Sequence, residues 1–287
     1  MKVKKFLICF ILALCVLISN NSAMVFAQTP VDAITEVTGK LGNSKNFEET
    51  IKATLVSEIE TEDGHQFRIA IPVNNEASKT GSDTIAVQAT SIYYIDVSIS
   101  GSGGKVIGKV WHVMPMPTHN LEISLWAGDT WASNKVTFVR TTNVGAWPFS
   151  TNVEATPTSS KFWDVSITGT IDGQSFYYST YDFLFNKVGV EYPDVYDYYT
   201  SSIFMTVPSS ATWSKVSNPL APLTSTQLAA YRTWYQNTYH SGDPLNWTNV
   251  QVHHIRPRAY GGTHDYSNLM PLHTTTHTPV TTWWANY

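Results

Sequence analysis

Between about Ile51 and Phe185, apolar and polar residues alternate in short runs broken by Gly, Asn and Asp, with no sustained helical period. Alternation of period two predicts strands with one buried face. In "ATLVSEIETEDGHQFRIAIPV", Leu55, Ser57 and Ile59 alternate up to the Asp63-Gly64 turn, which predicts a hairpin. "IYYIDVSIS", "HNLEISLWA" and "KVTFVRT" are further strands, rich in β-branched and aromatic residues. Their regular spacing predicts a β-sandwich-like region or a pair of small β-units over residues 28–187. "TSIYYIDVSISGS" from Thr90 and "TSSKFWDVSITGT" from Thr158 align without gaps, keeping Asp96/Asp164, Val97/Val165, Ser98/Ser166, Ile99/Ile167 and Gly101/Gly169. Duplication leaves such a trace, and so does the narrow choice that strand alternation allows. Trp126, Trp131 and Trp147 fit core packing better than an aromatic binding face.

The pattern changes after about Val188. Residues 188–222 are rich in Pro, Ser and Tyr, as in a linker or a wrapped extension. "TSTQLAAYRTWYQNTY" then predicts a helix, with Thr224 and Gln227 in capping-box spacing and Leu228, Tyr231 and Tyr235 on one face beside Trp234. Ser241 to Pro244 end it in a turn. "NWTNVQVHHI" predicts a strand, on which His253 and His254 must point to opposite faces. A loop through Pro257 and Gly261-Gly262 follows, then a second strand. The last helix is expected from Thr276 as N-cap, with His277 and Pro279 in its first turn, where amides lack intrahelical partners. This small α+β unit is expected to occupy residues 223–287.

Composition changes the setting. Residues 1–27 combine a basic start, the apolar run "FLICFILALCVLI" and a small-residue exit with Val25 and Ala27. That is the pattern of a signal peptide cleaved after Ala27, its apolar core short of the roughly 20 residues a bilayer span needs. The mature protein is therefore expected to be secreted from a bacterium, without stable membrane association. Cys9 and Cys15 both lie in that segment, so no disulfide staples the mature chain. The formal net charge of −4 becomes −7 once Lys2, Lys4 and Lys5 are removed. From Val216 onward the balance is +1, from Arg232, Arg256 and Arg258 against Asp243 and Asp265. An acidic body argues against broad non-specific adhesion to nucleic acid, so any polyanion must be handled locally near the C-terminus.

Six of the nine histidines fall between His240 and the C-terminus. His253-His254-Ile255-x-Pro257, Gly261-Gly262, Ser267-Asn268-Leu269-x-Pro271-Leu272 and His277 together resemble the HNH endonucleases, the ββα-metal nucleases that include colicin-type DNases and bacterial toxin domains. The resemblance covers roughly Thr226 to Tyr287. It implies a metal-dependent phosphodiester hydrolase with nucleic acid as its partner, DNA ahead of RNA and RNA left open, acting as an antibacterial toxin or an extracellular DNase, with an immunity protein as a further partner in the toxin case. It also implies His253 and His277 as metal ligands, His254 as general base, and Asn268 as the residue that pins the loop and orients that base. Some members carry a further histidine where this chain has Thr281, and His273 is a candidate substitute ligand.

The chemistry agrees with those residue types. A neutral imidazole can take a proton from water, and two imidazoles suit a borderline divalent ion such as Zn²⁺ or Ni²⁺, with Mn²⁺ and Mg²⁺ the other candidates. Arg256 and Arg258 flank the turn and could hold phosphates bidentately. A structural zinc staple is disfavoured, since it would want four ligands and usually cysteine. His240 and His264 are expected to be exposed polar residues without a role. The competing function is an extracellular β-sandwich binding protein with an inactive HNH-like tail.

Overall fold

The computed structural model describes residues 51–61, 64–74, 90–112, 119–131, 136–142 and 149–287. The expected signal segment (residues 1–27), both cysteines, Asp63 and Trp147 lie outside them.

The alternating region forms two mostly antiparallel sheets. One runs in the order β2 (Thr54–Thr61), β3 (Gly64–Asn74), β4 (Thr90–Ser102), β5 (Lys105–His112) and β8 (Ser150–Ala155). The other runs β1 (Ile51–Lys52), β10 (Gln174–Ser179), β9 (Lys161–Ile171), β6 (His119–Gly128) and β7 (Val136–Thr142), with β11 (Phe183–Phe185) also paired to β9. The expected hairpin is β2–β3. Ile95, Val97 and Ile99 of β4 and Val165 and Ile167 of β9 join one apolar cluster, so the sheets pack face to face as a sandwich. Gly108 of β5 lets them approach closely, since a Cβ there would lie 2.7 Å from Val165 Cγ2.

The two matching segments are β4 and β9, each flanked by neighbours on both sides within its own sheet. Each runs through a two-residue turn into its antiparallel partner, with left-handed backbone at Gly103 and Gly104 in one and at Asp172 and Gly173 in the other. The paired acids are both buried on the outer faces. Asp96 takes a two-pronged hydrogen bond from Arg68, at 2.8 and 2.9 Å, and Asp164 accepts from Ser179 at 3.2 Å. Of the tryptophans, Trp126 is half-buried and donates to Ser166, whereas Trp131 is 53% exposed.

β9 is buried on both faces, because its outer side is covered by the rest of the chain. Phe162 on that side, with Leu184 of β11, enters a second cluster containing Tyr192, Met205, Ala211, Tyr260, Met270, Leu272, Val280, Trp283 and Trp284. Residues 188–222 thus follow the wrapped alternative. They have almost no regular structure of their own, and their backbone is satisfied across the interface. Tyr198 donates to the Pro271 carbonyl at 2.9 Å and Val216 to that of Ala259 at 2.9 Å. Trp213 N–H donates to the Tyr287 hydroxyl at 3.0 Å. The Asp197 carboxylate accepts from the amides of Tyr199, Thr200, Ser202 and Ile203 and from the Tyr235 hydroxyl.

The C-terminal elements are α1 (Ser225–Tyr239), β12 (Val250–His254), β13 (Leu269–His273) and α2 (Thr274–Ala285). The capping box at Thr224 and Gln227 is formed, and Tyr231 and Tyr235 are the buried residues of α1. The last helix begins earlier than its threonines suggest. His273 is the N-cap, its ring accepting from the Thr275 amide, so His277 is the fourth helical residue and Pro279 lies inside the helix. Pro279 therefore removes one real helical hydrogen bond, to the Thr275 carbonyl. Among the described residues, no helix is long and apolar enough to cross a membrane.

Candidate active site

β12 and β13 form an antiparallel ribbon with His253 opposite Met270 and His254 opposite Leu269. Strand alternation puts His253 on the face shared with Met270 and Leu272, which α2 covers through Val280, Trp283 and Trp284. His254 takes the other face, where Leu269 packs with Tyr231 and Tyr235 of α1. Tyr231 ties helix to ribbon by donating to the Leu269 carbonyl at 3.0 Å.

His253 is 8% exposed, and its Nε2 has no hydrogen-bond partner. The His277 ring lies beside it, edge-on, with centroids 5.0 Å apart. Burial pushes His253 down to about 3, with His277 and His254 adding to the fall. Burial also lowers His277. Neutral rings with available lone pairs suit a metal, and an orphaned buried imidazole nitrogen next to a second imidazole fits a divalent ion held by His253 and His277. Thr281 donates to the His277 carbonyl at 2.9 Å, and its hydroxyl lies 3.4 Å from His277 Nδ1.

The structure does not bring His273 to this pair. His273 pairs with Val250 at the far end of the ribbon, and the odd separation between 250 and 253 puts it on the opposite face from His253. Its ring packs 5.1 Å from Tyr198, while Nδ1 meets Thr275 Oγ1 at 2.9 Å. Among the described residues, no group of three or more His, Cys, Asp or Glu side chains gathers as a metal site.

His254 ends β12. Burial holds it down to about 4, helped by His264 and Arg258 nearby, so it is neutral at pH 7. Its Nε2 lies 3.0 Å from His264 Nδ1, and His264 Nε2 lies 3.0 Å from the Ala221 carbonyl. His264 is thus half-buried and doubly engaged, contrary to the expectation of a bystander. His240 plays no part in the site; it caps α1, its amide donating to Gln236 O at 3.1 Å.

Asn268 closes the loop between the strands. Its Oδ1 accepts from the Arg256 amide at 2.8 Å, and its Nδ2 donates to the Arg256 and Thr263 carbonyls at 3.1 and 2.9 Å. The adjacent Gly-Gly is required by this closure. Gly261 has φ +84, and a Cβ on Gly262 would sit 1.7 Å from the Arg256 carbonyl oxygen. Asn268→Ala is therefore expected to cost about 2 kcal/mol, lowering Tm by roughly 4–8 °C. Asn268→Asp should do no better, because it sets a carboxylate against two carbonyl oxygens. Thermal unfolding of the two variants is the check, and an unchanged midpoint in both would remove Asn268 from the pinning role.

Arg256 and Arg258 have protein partners. The Arg256 guanidinium lies 4.4 Å from the Trp213 ring, and its Nε donates to the Tyr260 carbonyl at 2.7 Å. Arg258 Nη1 donates to the Leu220 carbonyl. Both side chains therefore fasten the wrapped segment to the loop after β12.

Residues 241–281 match the family model described as HNH endonuclease. No curated protein and no solved structure matches the chain. Over those residues the C-terminal part of the chain is therefore similar to the HNH endonucleases, a nuclease family that generally uses a divalent metal.

Proposed function

We propose that the chain is a secreted, metal-dependent endonuclease that hydrolyses phosphodiester bonds in nucleic acid, with DNA ahead of RNA as the substrate, working as an antibacterial toxin or an extracellular DNase. The observation that carries this reading is the buried, unpartnered Nε2 of His253 beside His277, with neutral His254 next along the strand. His253 and His277 hold the ion. Bound there, it would neutralise charge on the phosphate and on the departing 3′ oxygen. His254 accepts the proton of the attacking water as the new P–O bond forms and the bond to the leaving oxygen breaks. Asn268 keeps the loop after His254 in place through Arg256 and Thr263. Arg256 and Arg258, at the same loop, are the cations nearest in sequence to the base and the proposed phosphate contacts. Export rests on the N-terminal sequence pattern, and an immunity protein is the partner that a toxin role would require.

The test is digestion of supercoiled plasmid by the purified mature protein with Ni²⁺, Mn²⁺, Mg²⁺ or Zn²⁺, alongside a structured RNA. Conversion to nicked and linear DNA, abolished by chelator, is the expected result. Intact DNA and RNA under every ion, with the ion shown to be bound, would overturn the reading.

A further inference from the structure

We infer that His264 is a positioning residue, which fixes the proton of His254 on Nε2 and so leaves Nδ1 as the basic atom; this rests on the reading of His254 as the base. The argument is one of hydrogen-bond polarity. The Ala221 carbonyl can only accept, so His264 Nε2 must donate to it across their 3.0 Å contact. A neutral imidazole with its proton on Nε2 has an accepting lone pair on Nδ1. His254 Nε2, 3.0 Å from that Nδ1, is then the donor. His254 Nδ1 has no protein partner among the described residues and keeps the free lone pair. The carbonyl, the first ring and the second ring form a directed chain in which every donor meets an acceptor.

The start of that chain is built by the wrapped segment. Pro222 holds Ala221 in extended backbone, and two successive carbonyls, Leu220 and Ala221, serve Arg258 and His264 of the same loop. A histidine here does the orienting work that a carboxylate does in other base-assisted sites, without placing a negative charge beside His253 and His277.

The experiment is ¹⁵N spectroscopy of the histidine rings in the full chain at neutral pH, joined to kinetics of two variants. His254 and His264 should each carry the proton on Nε2, with scalar coupling across the Nε2–H···Nδ1 bond. His264→Ala should lower kcat by about 10–100-fold with KM little changed. His264→Asn, whose Oδ1 occupies the place of Nδ1 and can accept from His254, should recover most of that loss. A proton on His264 Nδ1, wild-type turnover in His264→Ala, or equal impairment in both variants would each overturn the inference. A chain that cleaves no nucleic acid would sink the nuclease reading instead, and the ring spectra would still decide which way the chain of hydrogen bonds runs.

Discussion

His254→Ala is expected to lower the cleavage rate by about 10²–10⁴-fold, the range that a positioned general base supplies, while leaving divalent-ion affinity close to wild type. His277→Ala is expected to lose both. The difference follows from the ribbon. His254 points to the face packed by α1, whereas His253 shares the α2 face with His277. Removing the His254 ring therefore deletes a proton acceptor without touching either proposed ligand. Removing the His277 ring leaves His253 Nε2 with nothing beside it, buried and unpaired. Neither loss should come from unfolding, since the His254 and His277 rings are both only half-buried and Thr281 still donates to the backbone carbonyl at 277. Ion titration of each variant next to its plasmid-cleavage rate is the measurement. If His254→Ala cleaves as fast as wild type, another group takes the proton. If His277→Ala binds the ion unchanged, the ligand assignment is wrong.

Much of this site was legible in order along the chain, because the relevant rules are local. Strand alternation alone placed His253 and His254 on opposite faces, and Thr224 with Gln227 marked the start of α1 through a reciprocal cap. The β-rich region was equally plain, since alternation of period two survives any pairing of strands. What could not be read depended on register or on distant partners. That His273 lies away from His253 follows only once Val250 is known to pair with His273. The helix start moved because a ring nitrogen of His273 caps the Thr275 amide, a role that preference tables assign to Ser, Thr, Asp or Asn. His264 looked like a bystander because its partner, the Ala221 carbonyl, lies 43 residues earlier in a segment without periodicity.

That same segment sets the second large effect: the fragment 223–287, which holds every proposed site residue, is expected not to fold by itself. Its apolar cluster is completed from outside. Phe162 and Leu184 of the sandwich and Tyr192, Met205 and Ala211 of the wrapped segment are all buried against Tyr260, Met270, Leu272, Val280, Trp283 and Trp284. Each side chain of that size returned to water forfeits about 1.5–3 kcal/mol. Loss of cover over two or three of them matches the roughly 3–5 kcal/mol that a core in so short a chain supplies. Polar ties are cut as well. Trp283 Nε1 donates to the Val190 carbonyl at 2.9 Å, the Asn286 carbonyl accepts from Lys187 at 3.2 Å, and the Tyr235 hydroxyl donates to Asp197. A bound ion would add stability to the fragment through His253 and His277, so the comparison is made with and without saturating Ni²⁺. The fragment should show weak near-ultraviolet dichroism, dye-binding apolar surface and no cooperative thermal transition in either condition, while residues 28–287 unfold cooperatively. A fragment that unfolds cooperatively and cleaves plasmid would show that the wrapped segment and the sandwich are dispensable for the site. Failure of the fragment, with activity in the full chain, would mean that the sandwich and the wrapped segment together provide the outer wall of the C-terminal core.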